Sequence, residues 1–245
     1  MSYVGIDVGF SAAVRSTGVC VISPGRPRPV VVRHVRTHET MATVEQLLAG
    51  RKPRAVSLDG PLVPGPTCYE IVNRYRVCER LLSGGIFQKR CKPGPTNSPR
   101  GQALHRQTTA VANELAALYP AAAISEAFPN AFLGVMLPDE TFVRPIRRGL
   151  KSDVFWKVAV SESSLMKRVL RYLFGAAGLR IYKECRTLDD HDERAAFVCA
   201  ITARAAHCGR SLMIRSPLDG SIALAPARFA QRWAVTHLRN RSVPL

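Results

Sequence analysis

The chain has 245 residues and 47% of them are hydrophobic, which suits a protein with a sizeable core and excludes disordered and collagen-like classes. No apolar run approaches the roughly 20 residues that span a bilayer, and the N-terminus has no basic region before its first Asp, so we expect a cytoplasmic protein without a signal peptide or membrane partner. Lys and Arg number 35 against 18 Asp and Glu, a net charge of +17. This excess predicts a nucleic-acid partner, with a GC-rich genome as the compositional alternative.

The first part of the chain predicts short strands joined by turns. Apolar runs end at Gly, Pro or charged residues, and a helical pattern over 40–49 precedes the fourth run. The predicted strands of this part are residues 3–9, 17–22, 30–35 and 55–58.

The rest of the chain predicts mostly helices. A fifth strand at 121–125 ends at Glu126, and a small late strand lies at 222–224. Gly and Pro make 84–101 a predicted loop. The predicted helices are 69–83, 104–118, 130–136, 152–174, 189–207 and 226–238. We therefore expect one α/β domain over 1–245, with a loop and helical insertion around 64–120.

Four acidic positions stand out because acids are scarce in this chain. Asp7 lies in an apolar strand, where a charge is costly unless it is paired or binds metal. Asp59 and Glu126 each end a predicted strand, and the cluster 189–193 begins the last long helix. Each has a structural alternative: a buried Arg partner for Asp7, a turn for Asp59, and helix capping for the cluster.

Strand order decides whether these acids meet. In a sheet with the order 3-2-1-4-5, strands 1 and 4 are neighbours at the point where ligands bind, so Asp7 and Asp59 converge. Adjacent carboxylates repel each other unless a cation joins them, and all-oxygen sites suit Mg²⁺ or Mn²⁺.

The motifs that contain these acids resemble, in the same order, those of the DUF429 family. They are GIDVG at 5–9, SLDGPL at 57–62, EAFP at 126–129 and DDHDERAAFVCAITA at 189–203, and DGSIALAP at 219–226 resembles the family's C-terminal element without its Trp. The family is regarded as predicted nucleases of the ribonuclease H-like superfamily. The resemblance implies a ribonuclease H-like mixed five-stranded sheet with the order 3-2-1-4-5, flanked by helices.

The same resemblance implies hydrolysis of phosphodiester bonds with one or two Mg²⁺ or Mn²⁺ ions. Asp7, Asp59 and Glu126 are then catalytic metal ligands. Similar sequences carry an Asp where this chain has Ala195, and the nearest replacement is Asp192, one turn earlier. Asp189 is the competing ligand.

Two groups of basic residues are candidates for contact with the nucleic acid. No Asp or Glu occurs between Arg80 and Asn113, and Phe87 in this segment is a candidate for stacking on a base. The predicted contacts are Lys89, Arg90, Lys92, Arg100, Arg106, Arg147 and Arg148. A solvated basic loop is the alternative for the first group.

Two other functions compete with the nuclease. An actin-like or sugar-kinase-type ATPase shares the core, and Asp7-Val8-Gly9-Phe10-Ser11 imitates its first phosphate loop, although no convincing second loop or adenosine motif follows. A nucleic-acid-binding module whose catalytic centre has decayed is the third hypothesis, and Ala195 favours it.

Overall fold

The computed structural model describes residues 1–11, 13–63, 75–91, 93–143, 146, 150–216 and 220–239. Their strands form one mixed sheet, and the strands are β1 (Ser2–Asp7), β2 (Thr17–Ile22), β3 (Val30–Val35), β4 (Pro53–Asp59), β5 (Ala123–Ala127), β6 (Ser211–Ser216) and β7 (Gly220–Pro226). The order across the sheet is β3-β2-β1-β4-β5-β7-β6. The α/β class is confirmed, whereas the predicted number of five strands is wrong, because β7 and β6 extend the sheet beyond β5.

The pairing of the strands is antiparallel at both ends of the sheet and parallel in its centre. β1 pairs with β2, and β2 with β3, in antiparallel fashion. β4 lies parallel to β1 and to β5. β5 pairs with β7 in parallel over two residue pairs, and β7 pairs with β6 in antiparallel fashion.

The described residues also form ten α-helices. They are α1 (Thr40–Leu48), α2 (Val77–Leu81), α3 (Phe87–Cys91), α4 (Pro99–Leu118), α5 (Pro129–Gly134), α6 (Lys151–Trp156), α7 (Leu165–Phe174), α8 (Ala177–Cys185), α9 (His191–His207) and α10 (Arg232–Arg239). None of these helices combines the length and the apolar composition that crossing a bilayer requires.

Several predicted segments differ from the structure. Of the helix predicted over 69–83, residues 69–74 lie outside the described residues and the rest contains only α2. The helix predicted over 226–238 begins only at Arg232, after a 3-10 turn. The helix predicted over 152–174 is divided, since a π-helical stretch at Lys157–Glu162 separates α6 from α7. The predicted loop 84–101 contains α3 and the first turn of α4. Pro99 does not prevent that turn, because proline at the first helical position lacks only an N–H that has no partner there.

Alternate residues of the central strands pack against opposite layers of helices. Val4 and Ile6 of β1 belong to a core cluster with residues of α1 and α4. Tyr3 points the other way, where it packs against Ala203 of α9. Because successive side chains of a strand alternate between faces, Gly5 and Asp7 share the α9 face with Tyr3.

Candidate metal centre

Strand register brings the first two predicted acids together. Asp7 and Asp59 are direct partners in the parallel pairing of β1 with β4, each as the last residue of its strand. Val56 and Leu58 of β4 belong to the core cluster of α1 and α4, so the alternation places Asp59 on the α9 face as well. The side chains of both aspartates therefore project from the same edge and the same face of the sheet.

Helix α9 packs onto that face at very short range. A Cβ atom added to Gly5 would lie 2.1 Å from the backbone oxygen of Ala196, and one added to Gly18 would lie 2.1 Å from the backbone oxygen of Asp192. Only glycine leaves room for this approach at both positions. Small buried residues on α9, among them Ala196 and Ala200, complete this close contact.

This contact places Asp192 beside the aspartate pair. The carboxyl group of Asp192 lies close enough to that of Asp7 to affect its ionisation. Burial raises the pKa of Asp7 well above its ordinary value, and the charges of Asp59 and Asp192 raise it further. Burial and the charge of Glu126 raise the pKa of Asp59 to about 7, although a hydrogen bond from Asp7 opposes this rise. The three aspartates thus lie together in a site built from β1, β4 and α9.

Asp192, in the first turn of α9, also has a histidine partner on β3. Nε2 of His34, on β3, lies 2.9 Å from a carboxylate oxygen of Asp192, and Nδ1 lies 3.7 Å from one of Asp190. These three residues form the one group of His, Cys, Asp and Glu in the described part of the chain with ligand atoms close enough to hold a metal ion. Sequence analysis missed His34, because the pairing of β2 with β3 is what carries it to the helix start.

Asp190, and not Asp189, caps α9. Its carboxylate accepts hydrogen bonds from the backbone N–H groups of Asp192, at 2.8 Å, and Glu193, at 3.1 Å. Asp189 is exposed and lies before the helix. The predicted competition between Asp189 and Asp192 therefore involves one exposed acid and one that contacts Asp7.

Glu126 lies close to the aspartates but has a different environment. It pairs in register with Leu58, so its side chain leaves the face opposite to Asp59. Arg76 holds both of its carboxylate oxygens, and the backbone N–H of Leu62 donates a further hydrogen bond at 3.1 Å. Arg76 also contacts Glu79, and all three side chains are buried. Glu126 therefore lines the same cleft as Asp59, but its carboxylate is held by Arg76.

Ala195 lies one turn beyond Asp192 on α9. It is buried and lines a cavity of about 30 Å³ together with Asp59. A carboxylate at position 195 would lie beside Asp59. This chain has only the methyl group of Ala195 on that side of the site.

The predicted nucleic-acid contacts fall into three groups. Lys89, Arg100 and Arg106 are exposed, and Arg100 lines a cleft of about 420 Å³ that also contains Asp59 and Glu126. Arg90 is buried, lies 4.0 Å above the ring of Phe142 and pairs with Asp139. Lys92, Arg147 and Arg148 lie outside the described residues.

Phe87, the aromatic residue that sequence analysis selected, does not line the cleft. Phe87 is fully buried and packs edge-on against Trp233, with ring centroids 5.0 Å apart. Phe10, which is 53% exposed, lines the cleft beside Asp59. The signal for Phe10 was its position, because it follows the strand that ends in Asp7.

Comparisons with known proteins give no indication of function, so a functional proposal must be based on the geometry of the site. No protein-family model matches the chain, and no curated protein or solved structure is significantly similar to it.

Proposed function

We propose that this protein is a metal-dependent nuclease of the ribonuclease H-like type, which hydrolyses phosphodiester bonds of nucleic acid. The observation that carries the proposal is the convergence of Asp7, Asp59 and Asp192 on one face of the sheet. Within the described residues, no Lys or Arg forms an ion pair with any of the three. The raised pKa values of Asp7 and Asp59 show that ionising these neighbouring carboxyl groups together costs free energy. A divalent cation bound between them would remove that cost.

The carboxylate oxygens of the three aspartates suit Mg²⁺ or Mn²⁺. Among the described residues only His34, Asp190 and Asp192 have ligand atoms that all lie within 4.8 Å of one another, so Asp7, Asp59 and Asp192 would have to close around an ion as it binds. The imidazole nitrogen of His34 beside Asp192 is a ligand better suited to Mn²⁺ than to Mg²⁺. When bound, the metal supplies an activated water and charge stabilisation for the leaving oxygen. Asp7 interacts with both Asp59 and Asp192, so its carboxylate would be a ligand whether the site holds one ion or two.

The surroundings of the carboxylates suit a nucleic-acid strand. The cleft beside Asp59 is lined by the exposed Phe10, which offers a face for a base, and by Arg100, which offers a guanidinium for a phosphate. The net charge of +17 favours the same polyanionic partner.

The decisive experiment is a nuclease panel with Mg²⁺ and with Mn²⁺, run on the wild type, on Asp7→Asn and on the exposed control Glu114→Gln. We expect Asp7→Asn to abolish cleavage and to weaken Mn²⁺ binding in titration calorimetry. The same change should raise the melting temperature of the metal-free protein, because it removes repulsion among the carboxylates. Full activity of purified Asp7→Asn would place the centre elsewhere.

Calorimetry with other ligands separates the rival functions. ATP binding by the wild type would favour the ATPase. Oligonucleotide binding without Mn²⁺ binding would favour the decayed module, for which Ala195 beside Asp59 is the supporting observation.

A further inference from the structure

A second basic surface lies outside the cleft. It consists of Arg168, Arg171 and Tyr172 on α7, Arg210 just before β6, and Arg228 and Phe229 in the short 3-10 turn after β7, and we call these six residues the Tyr172 patch. None of them lines the cleft beside Asp59. The sequence around them is unusually poor in acids, since 163–183 contains none and 194–245 contains only Asp219.

The Tyr172 ring organises the patch. The guanidinium carbon of Arg210 lies 4.5 Å from the ring centroid, and that of Arg228 lies 5.7 Å from it. Arg210 also donates a hydrogen bond of 2.8 Å to the backbone oxygen of Tyr172. Phe229 packs edge-on against Tyr172, with centroids 5.5 Å apart. Tyr172 therefore brings Arg210 and Arg228 next to α7, the helix that carries Arg168 and Arg171.

The patch is concave and its charge is not neutralised by the surrounding protein. A depression of about 480 Å³ is lined by Arg168, Arg171, Tyr172, Arg228 and Phe229. All four arginines of the patch are exposed, and within the described residues none forms an ion pair with an acid, unlike Arg28 with Glu184 or Arg194 with Asp153. Four neighbouring guanidinium groups repel one another, and a bound polyanion relieves that repulsion.

We propose that the Tyr172 patch binds a strand of nucleic acid, apart from the cleft that contains the carboxylates. Guanidinium groups bind phosphates in a bidentate manner, and the half-buried Tyr172 and Phe229 offer apolar contact for a sugar or base. No patch residue is an exposed large hydrophobic side chain of the kind that inserts into a membrane interface, which favours nucleic acid over an anionic lipid surface. This inference rests on the proposed function only because both name nucleic acid as the binding partner.

Fluorescence anisotropy with a labelled single-stranded 20-mer tests the patch. The full chain is titrated in EDTA, so that no metal-dependent cleavage occurs, at several salt concentrations. The test variant is Arg168→Ala/Arg171→Ala/Arg228→Ala, and the matched control, Lys52→Ala/Arg54→Ala/Lys183→Ala, removes three exposed charges from other elements. We expect the log–log salt slope to fall by about 2 in the test variant, since each lost phosphate contact lowers it by about 0.7, and to stay within about 0.5 of the wild type in the control.

Two outcomes overturn the inference. One is a test variant with the same slope and affinity as the control. The other is a test variant that loses binding to phosphatidylserine vesicles but keeps its affinity for the oligonucleotide, which would assign the patch to a membrane surface. If the triple variant melts below the wild type, Arg168→Gln/Arg171→Gln takes its place, with an expected fall of about 1.4 in slope.

The cleavage assay keeps this inference separate from the proposed function. A protein that cleaves nucleic acid while the patch variant binds normally would contradict the patch alone. A protein that cleaves no substrate while the patch variant loses oligonucleotide binding would contradict the nuclease alone.

Discussion

Asp192 provides the sharpest test at the scale of single residues, because an acid three positions earlier serves as its control. We expect Asp192→Asn to lower Mn²⁺ affinity at least about tenfold and to lower turnover, since this carboxyl group contacts both Asp7 and His34. Asp189→Asn changes an exposed acid before the helix and should leave both properties intact. Titration calorimetry and the cleavage assay measure the two variants side by side. The reverse pattern would make Asp189 the ligand, and no effect from either would leave a site without an acid from α9.

Asp59 should make the metal-free protein less stable as the pH rises. Its pKa is about 7 in the folded chain against an ordinary value of 3.8, so between about pH 4 and pH 7 the folded state keeps a proton that the unfolded state has lost. Stability from this group is therefore present at low pH and lost as the pH rises through 7. The difference corresponds to roughly 4 kcal/mol.

Urea unfolding in EDTA at pH 4, 6 and 8 measures this effect. We expect the free energy of unfolding of Asp59→Asn, relative to the wild type, to increase by roughly 4 kcal/mol from pH 4 to pH 8. Glu114→Gln, which changes an exposed acid, should follow the wild type at each pH. Parallel curves for Asp59→Asn and the wild type would show that Asp59 ionises normally in the folded protein.

Residue types and strand ends were enough to select Asp7 and Asp59 from the sequence, because an acid in or after an apolar strand is already unusual. Asp192, in contrast, was selected as the acid nearest to Ala195, where the family resemblance implies an Asp. The partners Arg76 and His34 were not selected, since Arg76 meets Glu126 across 50 positions of sequence and His34 meets Asp192 through strand pairing. Such pairings depend on register, and one step in register separates the face of Glu126 from that of Asp59.

At the scale of elements, the closeness of α9 to β1 depends on Gly5. A Cβ atom there would lie 2.1 Å from both the oxygen of Ala196 and the nitrogen of Ala200. Both are backbone atoms, so the helix itself must move to admit a methyl group. We expect Gly5→Ala to lower the free energy of unfolding by about 1–3 kcal/mol or more, and to weaken Mn²⁺ binding because α9 carries Asp192.

Gly84→Ala is the matched control for Gly5→Ala. No heavy atom lies within 4 Å of a Cβ built on Gly84, so this variant should unfold at the same urea concentration as the wild type or slightly above it. Equal midpoints for the two variants would mean that α9 lies further from β1 than the structure shows.

Elements with a strong local pattern were predicted and those defined by tertiary contacts were not. The runs behind β1 to β4 and the long apolar face of α9 are visible in the sequence. β6 contributes only Leu212 and Ile214 as alternating buried apolar positions, which is too short a pattern to identify a strand without its partner β7. The π-helical stretch after α6 likewise has no sequence signal, since it contains no Gly or Pro.

For the whole molecule, the α/β class followed from the alternation of strand and helix patterns. The number of seven strands could not be predicted in this way, because it depends on whether the late segments that form β6 and β7 pair with the edge of the sheet. The single domain predicted over 1–245 stays a prediction. The net charge indicated a polyanionic partner, but only the folded chain shows where arginines collect, as in the Tyr172 patch from three distant segments.

The position of α9 in the chain determines when the carboxylates can come together during synthesis. Asp7 and Asp59 emerge from the ribosome early, whereas the helix that covers them ends at His207. Until that helix has been made, Asp192 cannot meet Asp7 and Asp59. The proposed centre can therefore be completed only after α9 has been made, by a contact between Asp7 and Asp192 across 185 positions of sequence, a separation that slows folding.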